Sequence, residues 1–335
     1  MKLIKVLPLL LVASLTACSS TEDYTQETFY YFDTYLTMKA KNSNGHHNSS
    51  LVSRIKDICE HTDKVADLYK KSDVTGVYDL NHTNEKIEID RDFYRLLSIA
   101  KEAQEVAPYF DPLVGSLSTK WKDSLAKHEV LSDEAIQEEL AKINSSSLNL
   151  ESISGKYYAQ RTGQALLDLG AIAKGYVLDR CQDALPAYAP SNDYIVNAGN
   201  SSILLGTNSV KKKGAEEGEY VVKIKELSNE TYLHLKNSFI STSGISEQKT
   251  VISSKTYSHI INPADGSAIN LYDAVIVISD ITKEITTGSF GDALSTSFMV
   301  SSLNEIKETE KTAKVKVIVI KNDSVLYQSE GLELY

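Results

Sequence analysis

The chain has 335 residues, with 35 Lys and Arg against 45 Asp and Glu, for a formal net charge of −10. This acidic balance argues against general nucleic-acid binding, which relies on basic patches, and turns attention to small molecules and proteins as partners. No apolar run of about eighteen residues follows the first 17, so no membrane-spanning helix is expected, and no Cys and His spacing typical of zinc occurs.

Residues 1–17 read as a signal peptide, with Lys2 and Lys5 as a short positive region before a mostly apolar run at 6–13. Leu15-Thr16-Ala17-Cys18 resembles a lipobox, in which Cys18 becomes the acylated, palmitate-bearing first residue of an anchored protein. Ordinary secretion with a free Cys18 is the alternative. Residues 18–28 are polar and read as a tether, followed by a folded domain over 29–335. A first strand is expected at 29–39 and amphipathic helices at 49–69 and 90–105. Ser132 with Asp133 and Glu134 marks another helix start, and a hairpin is expected between 144 and 160. A strand end, turn and helix start are expected at 168–176. Short strands follow at 194–197, 202–205, 220–225, 231–236, 251–253, 258–261, 274–279 and 315–320, with a helix near 291–300. Helices early and strands late predict an α+β fold, one unit of mixed sheets and flanking helices with scope for two lobes around a cleft. Cys59 and Cys181 read as separate core thiols, and export permits a disulfide as the alternative.

The most informative segment is Asp168-Leu169-Gly170-Ala171-Ile172-Ala173-Lys174-Gly175-Tyr176. Glycines let backbone approach a ligand, a helix N-terminus attracts anions, and Lys174 supplies charge for a pyrophosphate. Close packing of strand on helix is the structural alternative. Asp292 and Thr296, four residues apart in a helix, would put two hard oxygens on one face and suit Mg2+. Their bland readings are a helix-start carboxylate and an ordinary helical threonine. His259 precedes an Asn-Pro turn and could act as a base near neutral pH, or as a structural or phosphate-contacting histidine. Thr242 and Ser243 could bind phosphate through hydroxyl and backbone groups, or make a strand-ending turn.

Further segments occur around the glycine run in a set order. They are Tyr109-Phe110-Asp111-Pro112-Leu113-Val114-Gly115, Val196-Asn197-Ala198-Gly199-Asn200, Ser241-Thr242-Ser243-Gly244, His259 to Gly266, and Asp292-Ala293-Leu294-Ser295-Thr296. From about residue 32 to 300 the chain resembles the ApbE family of flavin transferases. That resemblance implies transfer of FMN from FAD to a protein Ser or Thr, with release of AMP and assistance from Mg2+. It implies Ala171 (through its carbonyl), Asp292 and Thr296 as metal ligands and His259 as the group that helps deprotonate the acceptor. It implies an FAD wall of Phe32, Tyr69, Tyr109, Phe110, Asp111, Asp168, Lys174 and Ile269, with Thr242 and Ser243 at the phosphates. With the lipid anchor, it implies an enzyme on the extracytoplasmic face of the cell membrane, acting on exported or membrane-bound flavoproteins. An FAD pyrophosphatase giving FMN and AMP, or a non-catalytic FAD-binding lipoprotein, are the alternatives. Three positions depart from the family pattern: Asp33 where glycine is common, Ala198 in a Gly-Gly pair, and Asn262 for aspartate. The segment 284–290 is only a partial match to an acceptor motif, so efficient self-flavinylation is not expected.

Overall fold

A computed structural model describes residues 23–43, 45–246, 248–268, 270–281 and 287–335. The chain enters through an antiparallel hairpin, β1 (Tyr24–Tyr31) and β2 (Thr34–Lys41), closed by a two-residue turn at Phe32 and Asp33. The single strand expected at 29–39 is therefore a pair, and residues 24–28 of the expected tether are strand, paired with 37–41. Polar Thr25, Gln26 and Glu27 disguise a strand whose Thr and Tyr residues favour a pleated, half-buried surface.

Helix α1 (Ser49–Ala66) is capped by Asn48, whose Oδ1 accepts from Leu51 N, and buries Leu51, Ile55, Ile58, Cys59, Thr62 and Val65 along one face. It stops short of the expected residue 69 because Asp67 Oδ1 accepts from Tyr69 N and Lys70 N, an alternative to helical pairing. Then come α2 (Val77–Asn81), β3 (Ile87–Ile89), α3 (Arg91–Val106), α4 (Gly115–Ala126), α5 (Asp133–Asn144), β4 (Ser147–Ile153) and β5 (Lys156–Thr162). Ser132 caps α5 as expected. After an extended stretch outside any strand, tied by backbone hydrogen bonds to 112–115, and a turn, α6 (Ala173–Ala184) begins, so 168–176 has the turn and helix but no strand end. The later half holds β6 (Tyr194–Ala198), β7 (Ser202–Leu205), β8 (Tyr220–Lys223), β9 (Tyr232–Leu235), β10 (Ser238–Gly244), β11 (Lys249–Ile252), β12 (Lys255–Ser258) and β13 (Ala274–Asp280). The chain closes with α7 (Gly288–Phe298), α8 (Leu303–Ala313), β14 (Lys316–Lys321) and β15 (Ser324–Gln328).

Eight strands form one antiparallel sheet in the order β1-β2-β6-β7-β10-β13-β14-β15, and β3, β5 and β4 form a smaller sheet. This is the expected α+β class. β13 from Ala274 to Ile278 and β14 from Val317 to Ile320 are continuously apolar because both faces of the large sheet are covered there. Val275, Val277, Val317 and Val319 point into the main core, whereas Ile276, Ile278, Ile318 and Ile320 meet Ile224, Leu227 and Leu233 on the opposite face. The main core also takes in Leu148 and Ala159 of the small sheet, so the two sheets share one interior. A third cluster joins β2 and β6 to α1 and α6. Cys59 and Cys181 both lie in it as free, buried thiols, the expected reading rather than a disulfide, and they share this one cluster. Burial pushes the Cys59 thiol up to about 12, which leaves it unreactive. Among the described residues no helix is long and apolar enough to cross a membrane.

Candidate active site

A cleft of about 960 Å³ gathers the β1–β2 turn, the end of α1, residues 109–111, the turn before α6, the ends of β7 and β10, the chain after β12, and α7. Phe32, Tyr69, Tyr109, Phe110, Asp111, Asp168, Ala171, Lys174, Thr242, Ser243, His259, Asp292 and Thr296 all line it. Ile269 and Cys18 lie outside the described residues, as do residues 282–286. Thr287, within the acceptor-like segment, caps α7 by accepting from Phe290 N at 3.3 Å.

Helices α6 and α7 are clasped at both ends of their contact. Gly175 N donates to Asp292 Oδ2 at 2.7 Å, and Ser202 Oγ donates to both carboxylate oxygens at 2.9 and 3.0 Å. In the reverse direction, Asp179 of α6 accepts from Gly288 N at 2.6 Å, from Ser289 N at 3.2 Å and from the Ser289 hydroxyl, so it holds the first turn of α7. Glycine is required at this crossing, since a Cβ on Gly175 would sit 2.3 Å from Gly288 O and one on Gly288 would sit 2.8 Å from Gly175 O. Burial pushes the Asp292 carboxyl up to about 6 despite opposition from Lys174, Ser241, Ser202 and Gly175 N. The result is a carboxylate fixed beside a lysine at the N-terminus of α6.

The other segments are tied to the same frame. Asp168 Oδ1 accepts from Gly170 N at 2.8 Å and Oδ2 from Ser118 Oγ at 2.9 Å, joining the glycine turn to α4. Gly115 N donates to Leu166 O at 2.8 Å, an approach that leaves no room for a side chain at 115. Tyr109 N donates to Ser297 Oγ, and its hydroxyl donates to Glu305 Oε1 at 2.8 Å. Asp111 Oδ1 accepts from Leu113 N, while burial raises its carboxyl above the usual range. Ser243 Oγ stands 2.8 Å from Ser295 Oγ and 3.2 Å from Thr296 Oγ1, which links β10 to α7 at the cleft floor. Tyr69, at the mouth, carries Lys122 Nζ 4.7 Å above its ring.

His259 is exposed in the cleft, just beyond β12 rather than within a strand at 258–261. The Ser258 hydroxyl accepts from Ile260 N at 3.0 Å and bonds to Asn270 Oδ1, turning the chain out of the ladder. Of the three departures from pattern, Asn262 Oδ1 accepts from Ala264 N, Ala198 is fully buried at the end of β6, and Asp33 has φ 53°. Residues 199–201 form the β6–β7 turn, where Asn197 Oδ1 at the end of β6 accepts from Asn200 N; of 197–202 only Ser201 and Ser202 line the cleft. Sequence reasoning missed Ser202, Asp179, Ser118 and Asp63. A carboxylate one helical turn beyond the Gly175 start was a usable signal for Asp179, whereas Ser202 meets Asp292 across 90 residues and had none.

The ApbE family matches this sequence over residues 32–319. The chain belongs to the ApbE family. It is 27% identical over 239 residues to a protein of Klebsiella pneumoniae (strain 342) named FAD:protein FMN transferase, covering 70% of this chain and 72% of that one. A Buchnera aphidicola protein of the same name is 25% identical over 243 residues, covering 70% and 68%. The fold matches that of the ApbE protein from Thermotoga maritima with a TM-score of 0.76 at 20% identity, over 92% of this chain and 97% of that one. The flavin transferase ApbE from Vibrio cholerae gives a TM-score of 0.70 at 20% identity, with the same coverage.

Proposed function

We propose that this chain is a Mg2+-dependent FAD:protein FMN transferase that moves FMN from FAD to a Ser or Thr hydroxyl of an exported or membrane-bound flavoprotein and releases AMP. The observation that carries the reading is the α6–α7 clasp, which sets Asp292 beside Lys174 on a cleft shared with every other described candidate residue. The oxygens available there are one buried carboxylate, the Thr296 hydroxyl and the Ala171 carbonyl, a hard and sparsely charged set that suits Mg2+. Among the described residues, no group of three or more His, Cys, Asp or Glu side chains is placed to hold a metal, so phosphate oxygens and water must complete such a shell. Bound Mg2+ would neutralise pyrophosphate charge.

Lys174, at the start of α6, adds a second positive charge, and Thr242 and Ser243 offer hydroxyls to phosphate oxygens. Phe32 and Tyr69 offer ring faces and edges to the flavin and adenine, while Phe110, which also lines the cleft, is mostly taken up in the main core. The acceptor oxygen attacks the phosphorus on the FMN side, its proton passes to His259, and the bond to AMP breaks with the electron pair leaving on AMP. Acylation at Cys18 would hold the enzyme on the extracytoplasmic face of the membrane, where its acceptors are.

The test is the fate of the flavin. The detergent-solubilised full chain is incubated with FAD and Mg2+, with and without a peptide bearing Asp-x-x-Thr-Gly-Ala-Thr, and nucleotides are separated by chromatography. Transfer predicts AMP release that depends on the peptide, with no matching free FMN. Equal free FMN and AMP without peptide would make the protein a pyrophosphatase, and intact bound FAD would make it a carrier.

A further inference from the structure

The β1–β2 turn carries one residue poorly suited to it, Phe32. Phe32 and Asp33 adopt φ of 54° and 53°, in the left-handed region that two-residue hairpin turns require and that Gly, Asn or Asp normally fills. Asp tolerates the region, whereas a bulky aromatic there is strained. Strain of this kind persists where the surroundings over-determine it, and it concentrates at ligand sites. The constraint here comes from α1. Phe32 N donates to Asp63 Oδ1 at 2.8 Å, across 31 residues of sequence. The Phe32 ring also packs against the β2–β6 core. Phe32, Asp33 and Asp63 all line the cleft, next to Asp67. Burial, together with Asp67 and Asp33, raises the Asp63 carboxyl above its ordinary range, so an ionised group there is costly. No feature of α1 needs a carboxylate at this position; its N-cap is Asn48 and its exit is closed by Asp67.

We propose that Asp63 is a positioning residue for the flavin nucleotide: by holding the Phe32 backbone N–H, it locks the strained turn that sets the Phe32 ring as a wall of the cleft. This rests on the reading of the cleft as an FAD site. Asp63 acts through Phe32 and touches no reacting atom, so its effect belongs in nucleotide affinity.

The test is FAD binding by flavin fluorescence, without Mg2+ or acceptor, to the detergent-solubilised full chain and to Asp63→Asn, Asp63→Ala, Phe32→Ala and the Asp63→Ala/Phe32→Ala double variant. Thermal unfolding is measured for each. Loss of the hydrogen bond in Asp63→Ala is expected to weaken FAD roughly five- to tenfold. Asp63→Asn keeps an oxygen acceptor and should stay within about twofold. With the ring absent, adding Asp63→Ala to Phe32→Ala should cost no further affinity, a coupling that general loosening of the fold would not produce. Wild-type affinity in Asp63→Ala, an equal loss in Asp63→Asn, or an undiminished second loss in the double variant would overturn the proposal while leaving the FAD site standing. Absence of FAD binding by the unaltered chain, both without and with Mg2+, would overturn both.

Discussion

Replacing Gly175 with alanine probes the α6–α7 clasp with a single methyl group. The new Cβ lies 2.3 Å from Gly288 O, 2.4 Å from Gly288 C and 2.6 Å from Ser289 N, all backbone atoms that cannot rotate aside. Moving the oxygen to the 3.0 Å below which Cβ contacts are essentially never seen opens the helices by roughly 0.7 Å. Overpacking of this kind costs about 2–3 kcal/mol, toward the upper end of its range because the contact is backbone on backbone. Against it stands the helix preference of alanine over glycine, about 1 kcal/mol in favour of the variant. The net loss is about 1–2 kcal/mol, or a fall in Tm of roughly 1.5–3 °C for a domain of this size. Gly175 N is also the donor to Asp292 Oδ2, so the shift moves the carboxylate that the proposed chemistry uses. Displacement approaching 1 Å at a reacting centre is expected to lower turnover about 10- to 100-fold. Differential scanning calorimetry and FAD turnover check the two parts. Helix propensity alone predicts the opposite sign, so a variant with equal or higher Tm and undiminished turnover would refute the clasp.

Other outcomes follow from neighbouring contacts. Burial pushes the Asp179 carboxyl up to about 7 against its donors Ser289 and Gly288, above the ordinary value of 3.8. A carboxyl raised on folding gives stability that is full below the unfolded value and lost as pH rises through the folded one. Stability should therefore fall between about pH 4 and 7 by up to roughly 1.4 kcal/mol per pH unit, and Asp179→Asn should lack that slope in urea titrations. Asp168→Ala removes the acceptor for Ser118 Oγ and Gly170 N and should cost about 1–3 kcal/mol, whereas Asp168→Asn, which keeps an acceptor oxygen, should cost less than half of that in the same titrations. If Cys18 is acylated, the unaltered chain should incorporate labelled fatty acid and Cys18→Ala should not, with turnover retained; labelling of the variant, or none of the unaltered chain, would contradict lipid anchoring.

The candidate residues were legible because each lies in a short segment whose chemistry is local: a glycine turn, an Asp and Thr one helical turn apart, a histidine before Asn-Pro. What positions them was less legible, because it is tertiary. Ser202 reaches Asp292 through the pairing of β7 with β6 and β10, which a reading of local pattern does not reveal. Strand β10 is absent from the expected strands because Ser238, Ser241 and Ser243 interrupt its apolar pattern. Ser241 is small for packing: a Cβ on Gly291 of α7 would come within 2.6 Å of Ser241 Oγ, so helix and strand approach here with glycine facing serine. β1 was lost to its polar composition, and His259 was placed on a strand because the Ser258 hydroxyl that ends β12 reads like any other strand residue. By contrast, β13 and β14 were plain, since a sheet covered on both faces leaves an uninterrupted apolar run.

The most direct test of the central claim is the intact mass of an acceptor peptide after incubation with the full chain, FAD and Mg2+, run beside Asp292→Ala. The account predicts a gain equal to one FMN phosphoester on the peptide hydroxyl with the unaltered chain, and none with Asp292→Ala. An unmodified peptide in the presence of bound or hydrolysed FAD, or equal modification by both proteins, would contradict it.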